Sequence, residues 1–169
     1  MEKEIEKEIG NGMEKGREKR REKTNIKNDK KTINVLVAED EKIMQILYEG
    51  VLKKLPVDYN ITKDGKEGLE TFINGYEKGK AFDLVLSDIN MPRMDGITMA
   101  REIRSYEKEN NLKKTPLYAI TAYEFALVKE KCFNAGYERV LGKESIVKDV
   151  NNILNEYMKN EWKNWLKNW

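Results

Sequence analysis

The apolar residues between positions 32 and 158 follow two patterns that alternate along the chain. Short continuous runs of β-branched and aliphatic residues are typical of buried strands. Between these runs, apolar residues recur three and four positions apart, and residues so spaced share one face of a helix. The spacings predict a helix after each run, and the runs predict strands at 33–38, 57–62, 82–87, 116–121 and 138–142.

The first predicted helix has an apolar face made of Ile43, Ile46, Leu47, Gly50 and Val51. These residues lie at positions i, i+3, i+4, i+7 and i+8, which is the spacing of an amphipathic helix. We therefore expect an amphipathic helix whose apolar face carries these residues.

Strands that alternate with helices predict an α/β fold, in which a mostly parallel sheet has helices on both faces. Right-handed crossovers place the carboxyl ends of all strands at one edge, where open α/β sheets carry their chemistry. Glu39 and Asp40 follow the first strand, Asp88 the third and Lys143 the fifth, and Thr121 ends the fourth. We therefore expect three carboxylates, a hydroxyl and an ammonium group to converge at this edge.

This set of groups suits phosphoryl transfer. Carboxylates that lie close together raise each other's pKa unless a cation neutralises them, and Mg²⁺ combines carboxylates with phosphate oxygens. A carboxylate beside Mg²⁺ and a lysine can attack phosphorus while the positive charges neutralise the equatorial oxygens. The edge therefore predicts an aspartate that accepts a phosphoryl group with Mg²⁺ as cofactor, and the sequence has no glycine-rich loop for ATP.

Each of these residues, taken alone, has a structural alternative. Asp40 could cap the helix that follows it, and Thr121 could cap a later helix. Asp88 could be a solvated loop acid, and Lys143 could be a solvated surface residue. Their joint position at one edge favours phosphoryl transfer over four unrelated structural roles.

The composition of the chain excludes several classes of site and of protein. The chain of 169 residues has no histidine, which excludes a Ser-His-Asp triad, a histidine-ligated zinc site and a phosphohistidine carrier. Its one cysteine excludes an intrachain disulfide, and its net charge of +2 gives no whole-chain footprint for nucleic acid binding. No apolar run approaches about 18 residues and no signal peptide is evident, so we expect a cytoplasmic protein.

The two ends differ from the central region. Residues 1–31 are highly charged and contain few large apolar residues, so we expect a disordered tail rather than a nucleic acid binding segment. Helical spacing continues past 158 into the segment 159–169, which contains three tryptophans. This extension of the last helix could pack on the domain, contact a partner or lie on a membrane, and we favour the first two interpretations.

Four segments at the predicted edge, VLVAEDE, DLVLSDINMPRMDG, PLYAITAY and VLGK, resemble the signatures of response-regulator receiver domains. The resemblance covers residues 32–158, includes the order and spacing of the signatures, and is closest in texture to receivers of hybrid sensor kinases. It implies a flavodoxin-like (βα)5 three-layer sandwich with the parallel sheet order 2-1-3-4-5. It also implies a partner in a phosphorelay, either a sensor histidine kinase or a histidine phosphotransfer protein.

The same resemblance implies roles for individual residues. Asp88 would be the phosphoacceptor, Lys143 would pair with it or with its phosphoryl group, and Thr121 would be the switch hydroxyl. We expect no enzyme activity beyond this self-catalysed transfer and the later hydrolysis of the acyl phosphate. The signal would be an altered binding of a downstream protein.

The resemblance also implies the metal ligands. Asp40 would bind Mg²⁺ directly, Glu39 would bind it mostly through water, and Asp88 would complete the carboxylate set. The backbone carbonyl of Asn90 would be the remaining protein ligand.

Val140, Glu144 and Tyr123 depart from the family pattern, and the first two bear on the switch. Val140 stands where an aromatic switch residue is usual, and Glu144 stands where a proline usually follows the lysine. A cis peptide is costly without proline, so we expect a trans bond between Lys143 and Glu144. We expect the phosphorylation chemistry to persist and the switch to be weaker or differently routed.

Two other functions compete with this one. A pseudo-receiver would bind partners without reacting, and it predicts the loss of an acid, the acceptor or the lysine, all of which are present. A phosphatase with an aspartate nucleophile would need a substrate cap, and no insertion between the predicted strands provides one.

Overall fold

The computed structural model describes residues 32–122 and 125–167. The predicted tail 1–31 lies outside the described residues. The chain alternates strictly between strands and helices, with a short 3-10 turn at Lys143–Ser145. The strands are β1 (Ile33–Ala38), β2 (Val57–Thr62), β3 (Leu84–Asp88), β4 (Leu117–Thr121) and β5 (Arg139–Gly142), and the helices are α1 (Lys42–Leu52), α2 (Gly65–Glu77), α3 (Gly96–Glu109), α4 (Phe125–Ala135) and α5 (Ile146–Lys167).

The five strands form one parallel sheet in the order β2-β1-β3-β4-β5. The expected flavodoxin-like α/β fold is therefore confirmed. The register places Asp88 of β3 beside Ile120 of β4, and Thr121 beside Gly142 of β5. The carboxyl ends of β3, β4 and β5 consequently lie side by side at one edge of the sheet.

The core has two halves, one on each side of the sheet. Because successive strand residues point to opposite faces, Val35 and Val37 of β1 belong to one half, and Leu36 and Ala38 belong to the other. The first half is closed by buried residues of α1 and α5. The second half is closed by buried residues of α2, α3 and α4.

Helix α1 forms where the spacing predicted it, but the face it buries differs from the expected one. Ile43, Ile46 and Leu47 are 74%, 56% and 41% exposed, whereas Met44 and Tyr48 are buried. Two rows of apolar residues, displaced by one position along the chain, both have helical spacing in this segment. A displacement of one residue corresponds to a rotation of about 100° about the helix axis. Packing against the sheet buries Met44, Tyr48, Val51 and Leu52. Of the expected face only Val51 is buried, and Ile43, Ile46 and Leu47 form an exposed row.

Helix α5 continues to Lys167 and so enters the segment 159–169. The side chains of Trp162 and Trp165, and the whole of Trp169, lie outside the described part of the chain, so the predicted contacts of the tryptophans remain predictions. Among the described residues, no helix is both long and apolar enough to cross a membrane.

Candidate functional site

Asp88 is the last residue of β3 and is 4% exposed. Its Oδ1 atom accepts hydrogen bonds from the backbone N–H groups of Ile89, at 2.6 Å, and Asn90, at 3.3 Å. Its Oδ2 atom accepts a hydrogen bond from Lys143 Nζ at 2.7 Å. The carboxylate is thus held in a fixed orientation, with a positive charge on one oxygen.

Lys143 follows β5 directly and turns its side chain into the same edge of the sheet. Its Nζ atom donates to Asp88 Oδ2, and to Glu39 Oε1 and Glu41 Oε1 at 3.1 Å each. Burial lowers the pKa of Lys143, but the hydrogen bonds and charges of Asp88, Glu41 and Glu39 outweigh it and raise the pKa above its ordinary value. The side chain is 13% exposed, so it is a buried ammonium group and not a solvated surface lysine.

Glu39 is fully buried, which is rare for a carboxylate without several partners. Its Oε1 atom accepts from Lys143 and from the backbone N–H of Glu41 at 3.1 Å. Its Oε2 atom is buried and has no hydrogen-bond partner among the described residues. Burial, and then the charge of Asp88, raise the pKa of Glu39. A buried carboxylate oxygen in this position is well suited to a cation or to a water bound by one.

Carboxylate oxygens of Glu39, Glu41 and Asp88 all lie within 4.8 Å of one another. Hard divalent cations such as Mg²⁺ take carboxylate ligands of this kind, so the residues present fit the expected metal. Glu41 was not among the predicted site residues. A signal was available, because Glu39 and Glu41 are two positions apart in extended backbone, and such residues point to the same side.

Asp40 is exposed and is not among the three clustered carboxylates, so its expected direct contact with Mg²⁺ stays a prediction. It also does not cap α1, since the N-cap residue is Glu41, which makes no side-chain capping hydrogen bond. Asn90 is exposed next to the acceptor, with its backbone N–H bound to Asp88. The proposed role of its carbonyl likewise stays a prediction.

Thr121 is the last residue of β4 and is 2% exposed. Its neighbour across the sheet is Gly142, which immediately precedes Lys143. The register therefore brings the hydroxyl to the same edge as the acceptor and the lysine. The role of this hydroxyl in switching stays a prediction.

The loop after Asp88 is tied to its surroundings at two points. Arg93 has a left-handed backbone, with φ of 64°, and its guanidinium binds the buried carboxylate of Asp64, the N-cap of α2. Gly96 lies so close to the strand that an added Cβ would come within 2.9 Å of Ser87 Oγ and closer still to the Asp88 carbonyl. Tyr137 donates its hydroxyl to the Gly96 carbonyl at 2.7 Å. These contacts hold the loop that follows the acceptor.

Two of the three departures from the family pattern lie at β5 and just after it, and the third, Tyr123, lies outside the described residues. Val140 is buried within the core half formed by α2, α3 and α4. The described residues contain no cis peptide bond, so the expected trans bond between Lys143 and Glu144 is confirmed. Whether Val140 weakens the switch stays a prediction.

The family model of the response regulator receiver domain matches residues 35–155. The peroxide stress-activated histidine kinase mak1 of Schizosaccharomyces pombe is 32% identical over 125 residues, which are 74% of this chain and 8% of that kinase. The match therefore concerns a small part of a much longer protein.

Two solved structures extend the similarity. The receiver domain of the histidine kinase CKI1 from Arabidopsis thaliana, complexed with Mg²⁺, has a TM-score of 0.63 at 30% identity, covering 74% of this chain and 91% of that one. A chain in the co-crystal structure of the Saccharomyces cerevisiae phosphotransfer protein Ypd1 with the Ssk1 receiver domain has a TM-score of 0.59 at 28% identity, covering 66% of this chain and 79% of that one.

Proposed function

The chain belongs to the response regulator receiver domain family of two-component phosphorelays, and on this premise we propose that it accepts a phosphoryl group on Asp88 and signals through altered partner binding. The observation that carries the proposal is the arrangement of Asp88. Two backbone N–H groups hold one of its oxygens, and Lys143 donates to the other at 2.7 Å.

The transfer is a single displacement at phosphorus. One Asp88 oxygen forms a bond to phosphorus as the bond between phosphorus and the donor's imidazole nitrogen breaks, which yields an acyl phosphate and free imidazole. The Lys143 ammonium moves its pairing to the phosphoryl oxygens and neutralises their charge. The Thr121 hydroxyl, at the same edge, donates a hydrogen bond to a phosphoryl oxygen.

Glu39 and Asp88, together with Asp40 and the Asn90 carbonyl, would hold Mg²⁺, which neutralises phosphoryl oxygens when it is bound. The carboxylate cluster and the buried, unpartnered Oε2 atom of Glu39 support the roles of Glu39 and Asp88, whereas those of Asp40 and Asn90 rest on the family resemblance. The receiver domain of CKI1 has been solved with Mg²⁺, which agrees with the assignment.

The sequence has no histidine, so the phosphoryl group comes from a phosphohistidine outside these 169 residues or from a small phosphodonor. We assign this role to a sensor histidine kinase or a histidine phosphotransfer protein. The exposed row on α1 supports a protein donor, because Ile43 lies only two residues after Glu41, which contacts Lys143. A protein that brings a phosphohistidine to Asp88 must cover this edge of the sheet, and exposed aliphatic side chains there would be buried in the contact.

The chemistry is tested by intact-mass measurement after incubation with acetyl phosphate, with and without Mg²⁺. We expect the wild type to gain one phosphoryl group only with Mg²⁺, the Asp88→Asn variant to gain none, and the Asp58→Asn variant, changed at an exposed acid of β2, to behave as the wild type. No gain in the wild type under any condition would instead favour a pseudo-receiver that binds partners without phosphorylation.

The donor surface is tested separately with the double variant Ile43→Ser/Leu47→Ser. Phosphorylation by acetyl phosphate should stay at the wild-type rate, because these side chains do not contact the acceptor. Transfer from a phosphorylated histidine phosphotransfer protein should slow by about tenfold or more, as expected for the loss of buried apolar contacts. Equal slowing with both donors would show that the variant damages the site and would contradict the assigned surface.

A further inference from the structure

Glu41 differs from the other two carboxylates that bind Lys143. Its side chain is 61% exposed, whereas those of Glu39 and Asp88 are 0% and 6% exposed. All three carboxylates accept a hydrogen bond from Lys143 Nζ, at distances between 2.7 and 3.1 Å, and so compete for the same ammonium group. Lys143 therefore lies between a buried pair of acids and one exposed acid at the rim of the site.

The ammonium group of Lys143 and a bound divalent cation would contact the same acids. It binds Glu39 and Asp88, the two buried acids that the proposed function assigns to Mg²⁺. Two cations that meet the same buried carboxylates repel each other, and the repulsion is strong because little solvent screens it. Lys143 contacts Glu39 through Oε1, so a cation at the unpartnered Oε2 atom would repel the ammonium group and favour its movement away from Glu39.

Glu41 provides the position to which the lysine can move. Its carboxylate already contacts Nζ, so the ammonium can leave Glu39 while it keeps a charged partner. The exposure of Glu41 also places that partner on the solvent side, away from the buried Oε2 atom of Glu39. A lysine without this partner would keep only Asp88, which is also one of the acids assigned to Mg²⁺.

We propose that Glu41 is a positioning residue that holds Lys143 at the rim when a divalent cation binds to the buried acids. The inference rests on the proposed function, and it adds a residue that acts through the lysine. Its consequence is that Glu41 raises the Mg²⁺ affinity of the unphosphorylated protein without being required as a ligand.

The test compares the Mg²⁺ dissociation constants of full-length variants by isothermal titration calorimetry. Glu41→Gln should weaken binding by about three- to fivefold, the range expected for an exposed ion pair. The matched control is Glu144→Gln, which removes the same charge next to Lys143. The carboxylate of Glu144 lies against Gly142 and is not among the three hydrogen-bond partners of Nζ, so this variant should bind as the wild type.

A second variant separates pairing from charge. Glu41→Asp keeps the negative charge but shortens the side chain, so a pairing role predicts a loss of affinity close to that of Glu41→Gln. In the wild type, the ¹⁵Nζ resonance of Lys143 should shift on addition of Mg²⁺, and this shift should be reduced in Glu41→Gln. Thermal unfolding of each variant shows whether the fold is retained, which the exposure of Glu41 leads us to expect.

The outcomes separate this inference from the proposed function. If Glu41→Gln binds Mg²⁺ as tightly as the wild type, or if Glu41→Asp does, the positioning role is wrong and the proposed function stands. If the wild type itself binds no Mg²⁺, both the metal assignment and this inference are wrong. Phosphorylation of Asp88 by acetyl phosphate remains a separate measurement in either case.

Discussion

The protein contains two buried ionic clusters at opposite edges of its sheet, one around Lys143 and one around Arg104. The side chains of Lys143 and Arg104 are almost equally buried, at 13% and 14% exposed. Arg104, on α3, binds Glu107 Oε2 at 2.7 Å and the Thr115 carbonyl at 2.8 Å, and it also donates two hydrogen bonds to the Gly136 carbonyl. It thus joins α3 to the segments that precede β4 and β5.

The clusters differ in how completely their acids are paired. Glu107 is 2% exposed and uses both oxygens, since its Oε1 accepts from the Thr115 backbone N–H at 2.6 Å. Glu39 is equally buried but leaves Oε2 without a partner among the described residues. A fully paired buried ion cluster holds one structure, whereas a cluster with an unpaired oxygen can take another ligand. The difference agrees with a structural role for the Arg104 cluster and with the binding site that we propose for the Lys143 cluster.

The largest expected effect is on stability, at the structural cluster. Arg104→Met would leave the buried carboxylate of Glu107 without its cation, and we expect the free energy of unfolding to fall by about 3–5 kcal/mol. Chemical denaturation measures this loss. The control is Arg101→Met on the exposed side of the same helix, for which the change should be within about 0.5 kcal/mol. A small loss for Arg104→Met would contradict the distinction between the two clusters.

The second expected effect is on function, at the binding site. Lys143→Met would remove the ammonium group that neutralises the phosphoryl oxygens, and we expect phosphorylation by acetyl phosphate to slow by about a hundredfold. Its loss of stability should be smaller than that of Arg104→Met and should be reversed by Mg²⁺, because a bound cation replaces the missing charge. Arg104→Met should show no such rescue. Lys148→Met, changed at an exposed position of α5, serves as the control.

The smallest expected effect concerns the pH dependence of stability. Because burial and then Asp88 raise the pKa of Glu39 above 4.5, the folded protein holds this proton more tightly than the unfolded chain does. The resulting stabilisation is present below pH 4.5 and is lost as the pH rises through the raised pKa. Without Mg²⁺, Glu39→Gln should therefore become increasingly more stable than the wild type over this range, by about 1 kcal/mol at neutral pH.

Denaturation curves at several pH values check this expectation. Glu70→Gln, at an exposed position of α2, should keep the wild-type pH profile. A wild type that is more stable than Glu39→Gln at neutral pH without Mg²⁺ would show that Lys143 fully compensates the buried acid. The interpretation that the Lys143 cluster contains an incompletely paired buried acid would then be wrong.

Much of the fold could be predicted from local patterns. The runs at 33–38 and 57–62 coincide with β1 and β2, and the run at 82–87 differs from β3 only at its ends. Alternation of strands and helices was enough to predict a parallel sheet and to place Asp88 and Lys143 at its carboxyl edge. The strand order came from the resemblance of four segments to receiver domains, and the sheet confirms it.

The residues of the candidate site could be predicted only in part. Residue type and chain position after a strand identified Glu39, Asp88 and Lys143, which the structure brings into contact. The same reasoning passed over Glu41 and placed Asp40 in the group, although Asp40 is exposed and Glu41 contacts the lysine. Neighbouring acids have the same chemistry, and which of them turns inward depends on how the backbone leaves β1 and enters α1.

The sequence alone thus determines the period of each element, the kinds of groups that follow each strand and the absence of histidine. Tertiary packing determines which row of α1 is buried and which carboxylates share Lys143. The physical reason is that a period specifies spacing along the chain but not the rotation of a helix about its axis. Glu41 and Lys143 are 102 positions apart, so their contact exists only because the parallel sheet brings the ends of β1 and β5 to the same edge.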